Sequence, residues 1–256
     1  MKVAVITPTI GTQYLKRNLE SVSKQTYKNL THYIFIDGKD CQSNVQAQIS
    51  KHDNVKTIIL EENVGKGWYG HRVYAACSFL VNADVICYLD EDNWYDENHV
   101  QNVVDKLEKG YDWVYSLRKI YDQDANFLLE DNCESLGNWP VYFNDSVFHI
   151  DTSCFAVKRN VAVAIGHSWY GQWGADRQFF QAMKKHFNNF ACTGEYSCNY
   201  RLDGNENSVT KDFFENGNKS MEQKYGGTFP WRKENHNKET TGLKVETIGP
   251  GIRIVS

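Results

Sequence analysis

The chain has 256 residues, 41% of them hydrophobic and 14% aromatic, enough to bury the core of one large domain or two small ones. A formal net charge of −4 and a pI near 6.1 argue against nucleic acid as a partner, which a basic excess would accompany. Mean hydropathy is −0.58 and no apolar run approaches the roughly 20 residues that a bilayer span needs, so no transmembrane segment is expected.

The opening MKVAVITPTIGT has an apolar part too short for a signal peptide and reads as a first strand, Val3–Ile6. Thr12 is placed to cap a helix striped by Leu15, Leu19 and Val22. His32–Ile36 reads as a second strand ending at Asp37-Gly38, followed by a weaker helix near Ser43–Lys51 and a strand at Val55–Leu60. Tyr69, Val73, Ala76, Cys77 and Leu80 share one face of a helix. The strand Val85–Leu89 precedes a further helix, from about Glu97 to Gly110. This βαβαβαβ order implies an α/β fold, a Rossmann-like, mostly parallel sheet with helices on both faces.

Beyond Gly110 the rhythm becomes mixed. Trp113–Tyr121, Val147–Ile150, Ser153–Val157, Phe190–Thr193 and Tyr196–Leu202 read as strands, with a helix over Asp176–His186, and this half is expected to extend the same sheet. The domain division expected is 1–204, made of a nucleotide-binding half (1–110) and an acceptor-side half (111–204). Residues 205–256, rich in Asn, Lys, Glu and Gly, are expected to form a loop-rich tail, with Thr228–Trp231 docking back.

Seven cysteines, several in apolar stretches such as YAACSFL and VICYL, with no CxxC pair, indicate buried free thiols in a reducing, cytoplasmic setting rather than a zinc site. Cys192 and Cys198 would face each other across a hairpin, but nothing requires a bridge.

The most informative stretch is ICYLDEDNW. A strand covered on both faces runs into three consecutive acids, which repel one another and must either dissolve into solvent or gather around a cation. In extended backbone Asp90 and Asp92 point to one side and Glu91 to the other. Carboxylates converging at a strand end, where parallel sheets bind ligands, suit Mg²⁺ or Mn²⁺. The alternative is a solvated acidic turn with Asp96 as a helix cap.

Several stretches, in order, resemble the family 2 glycosyltransferases, which have an A-type nucleotide-sugar (GT-A) fold. VITPTIGTQYLKRNLESVSKQTYKNL is similar to their opening strand and first helix, FIDG to the second strand, and LDEDNWYDENHVQNVVDKL to the metal-binding DxD and its helix. HIDTSCFAVKR resembles the acceptor-side strand, WGADRQFF a helix opened by a Glu-Asp pair, and NYRLDGNENS a late Tyr-Arg-x-His segment. The resemblance implies that Thr7, Pro8, Thr9 and Asp37 line the base and ribose, with Asp37 accepting from a uracil or thymine ring N–H. It also implies that Asn63, Gly65 and Lys66 border the donor, with Asp90 and Glu91 also among the residues that contact it. Asp90 and Asp92 would hold Mn²⁺ or Mg²⁺, joined by Asp203 where the family often has His. Ala175 departs from the usual Glu.

The chemistry implied is metal-dependent, inverting transfer of a sugar from a UDP-sugar to a saccharide hydroxyl, in polysaccharide or glycan biosynthesis. Asp176 is the candidate base, although a residue at a helix start is otherwise read as a capping or first-turn acid. Trp169, Tyr170 and Trp173, and more weakly Trp139 and Trp94, are candidates to stack on sugar faces, core packing being the commoner fate of such rings. Gly65–Gly70 also fits GxGxxG, but Glu61-Glu62 would repel a pyrophosphate, and the motif follows the third strand rather than the first. A haloacid-dehalogenase-like phosphatase would want its DxD on an early strand. A glycosyltransferase-like module that binds donor without transfer is the non-enzymatic alternative, supported by Ala175 alone. Nothing in the sequence sets the oligomeric state.

Overall fold

Strand β1 (Val3–Thr9) is buried along nearly its whole length, as an apolar run in the middle of a parallel sheet must be. It leads through α1 (Leu15–Ser23) to β2 (Leu30–Asp37), α2 (Gln42–Ile49), β3 (Val55–Leu60), α3 (His71–Leu80) and β4 (Val85–Tyr88). β2 and β4 flank β1, and β3 pairs with β2, all parallel. The computed structural model describes residues 1–50, 52–203 and 209–233, together with the backbone of a short antiparallel pair, 245–247 and 252–254.

A mixed half extends this sheet. β5 (Trp94–Tyr95) and α4 (His99–Leu107) lead to β6 (Trp113–Tyr121), β7 (Phe127–Glu130) and β8 (Phe155–Lys158). α5 (Arg159–Ile165), α6 (Ala175–His186) and β9 (Phe190–Arg201) follow. β8 runs antiparallel to both β4 and β6, while β9 lies parallel to β6. The resulting order is β3-β2-β1-β4-β8-β6-β9-β5, with β7 beside β6. The fold is therefore α/β, with a mostly parallel first half and a mixed second half.

Two apolar clusters hold the layers. Leu15 and Leu19 of α1 and Val45 and Ile49 of α2 close over Ile34 and Ile36 of β2. The larger cluster spans the other helices and the rest of the sheet, including a fully buried Trp113 stacked 4.1 Å from Phe190. Six of the seven cysteines are buried and all are free.

The structure corrects several local expectations. Thr12 does not cap α1; Tyr14 occupies that position without a side-chain bond, and the Thr12 N–H turns instead to Glu91. Gly70, with φ +73°, delays α3 until His71. Val147–Ile150 is not a strand, because its backbone clasps the 137–141 loop, His149 accepting from Gly137 N–H and Val147 from Val141 N–H. The two expected strands over 190–202 are one, β9, irregular near Gly194, so Cys192 and Cys198 lie on the same strand and cannot face each other.

The largest difference lies in the tail. Residues 211–225 form a 15-residue helix, α7 (Lys211–Tyr225), capped by Thr210, whose hydroxyl accepts from Phe213 N–H, and stopped by Gly226 at φ +60°. Phe214 and Met221 reach the core, and Gly217 sits where a Cβ would overlap Cys133. Polarity misled because only one narrow stripe of this helix is apolar. Trp231 does dock back: it is buried, its ring N–H donating to Asn132 Oδ1 at 2.9 Å. Lys51, the expected boundary at 204 and residues 205–208 lie outside the described residues, as do 234–244, 248–251 and 255–256.

Candidate active site

The strand directions assemble the site. β1, β2, β4, β6 and β9 all run one way, so their carboxyl ends share one edge, and antiparallel β8 brings the segment before it, 151–154, to that edge too. β1 and β4 adjoin where the strand order reverses, the place at which open α/β sheets bind ligands. A cleft of about 700 Å³ opens there, with Pro8 and Thr9 at the end of β1, Asp37 at the end of β2, Asp90–Asn93 after β4, and Arg201 and Asp203 at and beyond the end of β9.

The acidic residues do not continue the strand. Asn93 N–H bonds back to Asp90 O at 3.1 Å, and the Asn18 side chain, rising from α1, donates to the carbonyls of Asp90 and Asn93. The chain therefore turns, and the alternation expected for an extended strand fails. Glu91 does not point away: it faces the same cleft and accepts from the Thr9 hydroxyl. Asp90 is held on both oxygens, by Tyr74 OH at 2.8 Å and Ser153 Oγ at 3.2 Å. Burial, then the neighbouring carboxylates of Asp151 and Asp92, push its pKa well above the usual carboxylate range. Asp92 is pushed up by burial and held down by Arg201, whose Nη2 lies 3.2 Å away.

On the opposite wall, Asp37 accepts Val64 N–H at 2.7 Å and Gly65 N–H at 2.8 Å, which folds the 63–66 loop over the end of β2. Asn63 Oδ1 accepts Lys66 N–H in the same loop. Gly65 must be glycine here, since a Cβ would overlap Asp37 Oδ2. Its N–H is engaged by Asp37 and so does not serve a pyrophosphate as the dinucleotide fingerprint would require. Thr7 is corrected: it is fully buried and turned inward to His32 Nε2 at 3.0 Å and Asn18, and only Pro8 and Thr9 of that trio reach the cleft.

Asp176 stands in the first turn of α6, outside the cleft lining. Its carboxylate lies 3.7 Å from His149 Nε2, and α6 begins just after the loop that His71, a cleft residue, holds through Gly171 O at 3.0 Å. Ala175 beside it is fully buried. The aromatic candidates separate. Trp169 has no exposed face: it stacks 4.3 Å from Phe179 and packs on Tyr74 and Tyr88, so the expectation of sugar stacking there is corrected. Trp139 packs against Trp231 in the core margin. Trp173 is 68% exposed and Tyr170 61%.

Sequence reading missed Asp151, which joins the site from the loop before β8. It accepts Ser153 N–H and binds Arg118 Nη1 at 2.7 Å. Buried Arg118 also reaches Asp131 at 2.8 Å and Glu134 at 2.5 Å, a cluster stitched from residues far apart in the chain. The only signal was the acid inside HIDTS.

Asp90, Asp92 and Asp203 line one cleft. Their oxygens do not form a closed cage; among the described residues the tight grouping, within 4.8 Å, is Asp151, Cys154 and Cys198. That grouping suits no hard cation, because two donors are sulfur and Asp151 is already held by Arg118. An open pair of carboxylates is instead what Mg²⁺ takes when phosphates complete its shell, and the mutual repulsion around Asp90 is what a cation would relieve. The residues therefore fit an oxygen-bound divalent ion.

A family model described as Glycosyl transferase family 2 matches residues 4–161. An uncharacterized protein of Haemophilus influenzae is 31% identical over 110 residues, covering 36% of this chain and 74% of that protein. The glycosyltransferase GlyA of Streptococcus pneumoniae is 27% identical over 111 residues, covering 41% of this chain but only 15% of its own length. Among solved structures, S. aureus TarS 1-349 superposes with a TM-score of 0.61 at 13% identity over 78% of this chain and 60% of that one. The same protein in complex with UDP-GlcNAc gives 0.61 at 14% identity, over 84% and 64%. At such identities the likeness is one of fold. No helix among the described residues is long and apolar enough to cross a membrane.

Proposed function

The chain belongs to glycosyl transferase family 2, and from that premise we propose that it transfers a sugar from a UDP-sugar to a saccharide hydroxyl with inversion, using Mn²⁺ or Mg²⁺. The observation that carries this reading is the gathering of Asp37, Asp90, Asp92 and Arg201 around one cleft at the carboxyl edge of the sheet. TarS, of similar fold, has been crystallised with UDP-GlcNAc, which makes a UDP-sugar the first donor to test.

In this reading the base and ribose lie against Pro8, Thr9 and the Asp37-braced loop, and Asp37 keeps lone pairs for a ring N–H beyond the two backbone donors it already holds. Asp90 and Asp92 would hold the divalent ion, with Asp203 lining the same cleft. A divalent ion at these carboxylates would supply positive charge against a departing diphosphate. Arg201, stacked 3.6 Å over Tyr14, adds fixed positive charge beside Asp92 and suits phosphate oxygens. Tyr74 and Ser153 keep Asp90 from turning away. Asp176 takes the proton of the acceptor hydroxyl, and His149 beside it limits where its carboxylate can sit. Donor profiling by UDP release, sugar by sugar with Mn²⁺ and candidate saccharide acceptors, tests the proposal. Failure of every UDP-sugar to give UDP would reject it.

A further inference from the structure

Beside the cleft, three side chains that the donor reading does not use form one ledge. The Arg72 guanidinium lies 3.8 Å from the centre of the Trp68 ring and 5.7 Å from that of Tyr170, and the two rings are 5.0 Å apart. Trp68 is half-buried, while 61% of Tyr170 remains open. No carboxylate of the described residues lies within ion-pair distance of Arg72, and its Nε is buried without a hydrogen-bond partner. A buried guanidinium N–H left unsatisfied is costly, and stacking on rings satisfies none of its donors.

The ledge is fixed to the site at both ends. Tyr69 and His71, on either side of Gly70, line the donor cleft, and His71 Nδ1 is 3.0 Å from Gly171 O, latching the loop that carries Tyr170 onto α3. The same loop runs on through exposed Trp173, which Arg177 covers at 4.9 Å, to Asp176. A saccharide with a hydroxyl near Asp176 would extend across this surface.

We propose that Trp68, Arg72 and Tyr170 form an acceptor subsite for an anionic saccharide, one carrying a carboxylate or a phosphate next to a sugar ring. This rests on the transferase reading above. The rings take the apolar faces of sugars, and Arg72 supplies the charge-assisted donors that distinguish an anionic chain from a neutral one.

The test is calorimetric titration of the full chain with three probes: cellohexaose, hexagalacturonate and a hexamannoside bearing mannose 6-phosphate. Wild type is expected to bind one of the anionic probes about tenfold or more tighter than cellohexaose, as one charge-assisted contact allows; which one identifies the source of charge. Arg72→Gln should remove that preference, while Tyr170→Ala, at an exposed position, should weaken all probes alike. Failure of both anionic probes to bind, or a preference that survives Arg72→Gln, would overturn the proposal. UDP binding with Mn²⁺, measured on the same preparations, is expected to be unaffected by either variant; its loss in either would put these residues in the donor site and overturn the proposal. Its absence from wild type would instead count against the transferase reading.

Discussion

Arg201 and Asp92 meet at 3.2 Å across the mouth of the cleft, joining the end of β9 to the turn after β4, 109 residues apart in the chain. Arg201 is nearly buried and stacks on Tyr14, so its charge cannot swing away. Arg201→Lys keeps the charge but loses the planar stack and fork. UDP affinity with Mn²⁺ is expected to fall about tenfold by calorimetry, the effect of losing one charge-assisted bond. Unchanged affinity would remove Arg201 from the diphosphate site.

Gly65→Ala tests the Asp37 brace. The new methyl must displace Asp37 Oδ2 from the loop, and an overpacked contact of this kind costs about 1–3 kcal/mol. A lower unfolding midpoint and weaker UDP binding should appear together. Weakened stability with normal UDP affinity would show that this loop does not border the nucleotide.

Trp169 and Trp173 should behave oppositely. Trp169→Ala empties a site among Phe179, Tyr88 and Tyr74 and should cost about 3–5 kcal/mol in denaturant unfolding. Trp173→Ala, at an open position, should leave stability within about 0.5 kcal/mol.

Acid sensitivity follows from two buried histidines. His32 and His99 are each pushed down to about 3 by burial, whereas unfolded histidine titrates near 6.5. Below about pH 6.5 the unfolded chain takes up protons that the folded one refuses, so stability falls as pH drops toward 3. Each contributes a slope of about 1.4 kcal/mol per pH unit. His99→Gln should flatten the urea-unfolding profile between pH 6 and 4 by about that amount; an unaltered slope would show His99 protonated in the folded state.

Asp176→Asn should retain UDP binding and lose about 10²–10⁴-fold in transfer, the range for removing a general base. Full turnover would move the base elsewhere.

What the sequence disclosed depended on how local each signal was. The strands β1 to β4 are short apolar runs between turn residues, and the acids after β4 stand next to the strand that delivers them. Asp151 was invisible because its role comes from β8 running antiparallel and setting the loop before it beside Asp90, a fact of sheet order rather than pattern. Thr7 was misplaced by depth along the strand: Pro8 and Thr9 reach the cleft only because β1 ends there, and one residue further in the side chain is enclosed by the sheet. Trp169 and Trp173 look alike in sequence, and only the packing of α6 against the helical turn before it, Gly166–Trp169, separates a core ring from an open one. α7 was missed because a polar helix with a thin apolar stripe resembles a loop in composition.

The most direct measurement is calorimetric titration of UDP-GlcNAc, or the donor found by profiling, into wild type and Asp92→Asn with and without Mn²⁺. The account predicts tight binding only for wild type with metal, and a loss of at least about tenfold in the variant. Equal affinity of the two proteins, or wild-type binding indifferent to Mn²⁺, would contradict it.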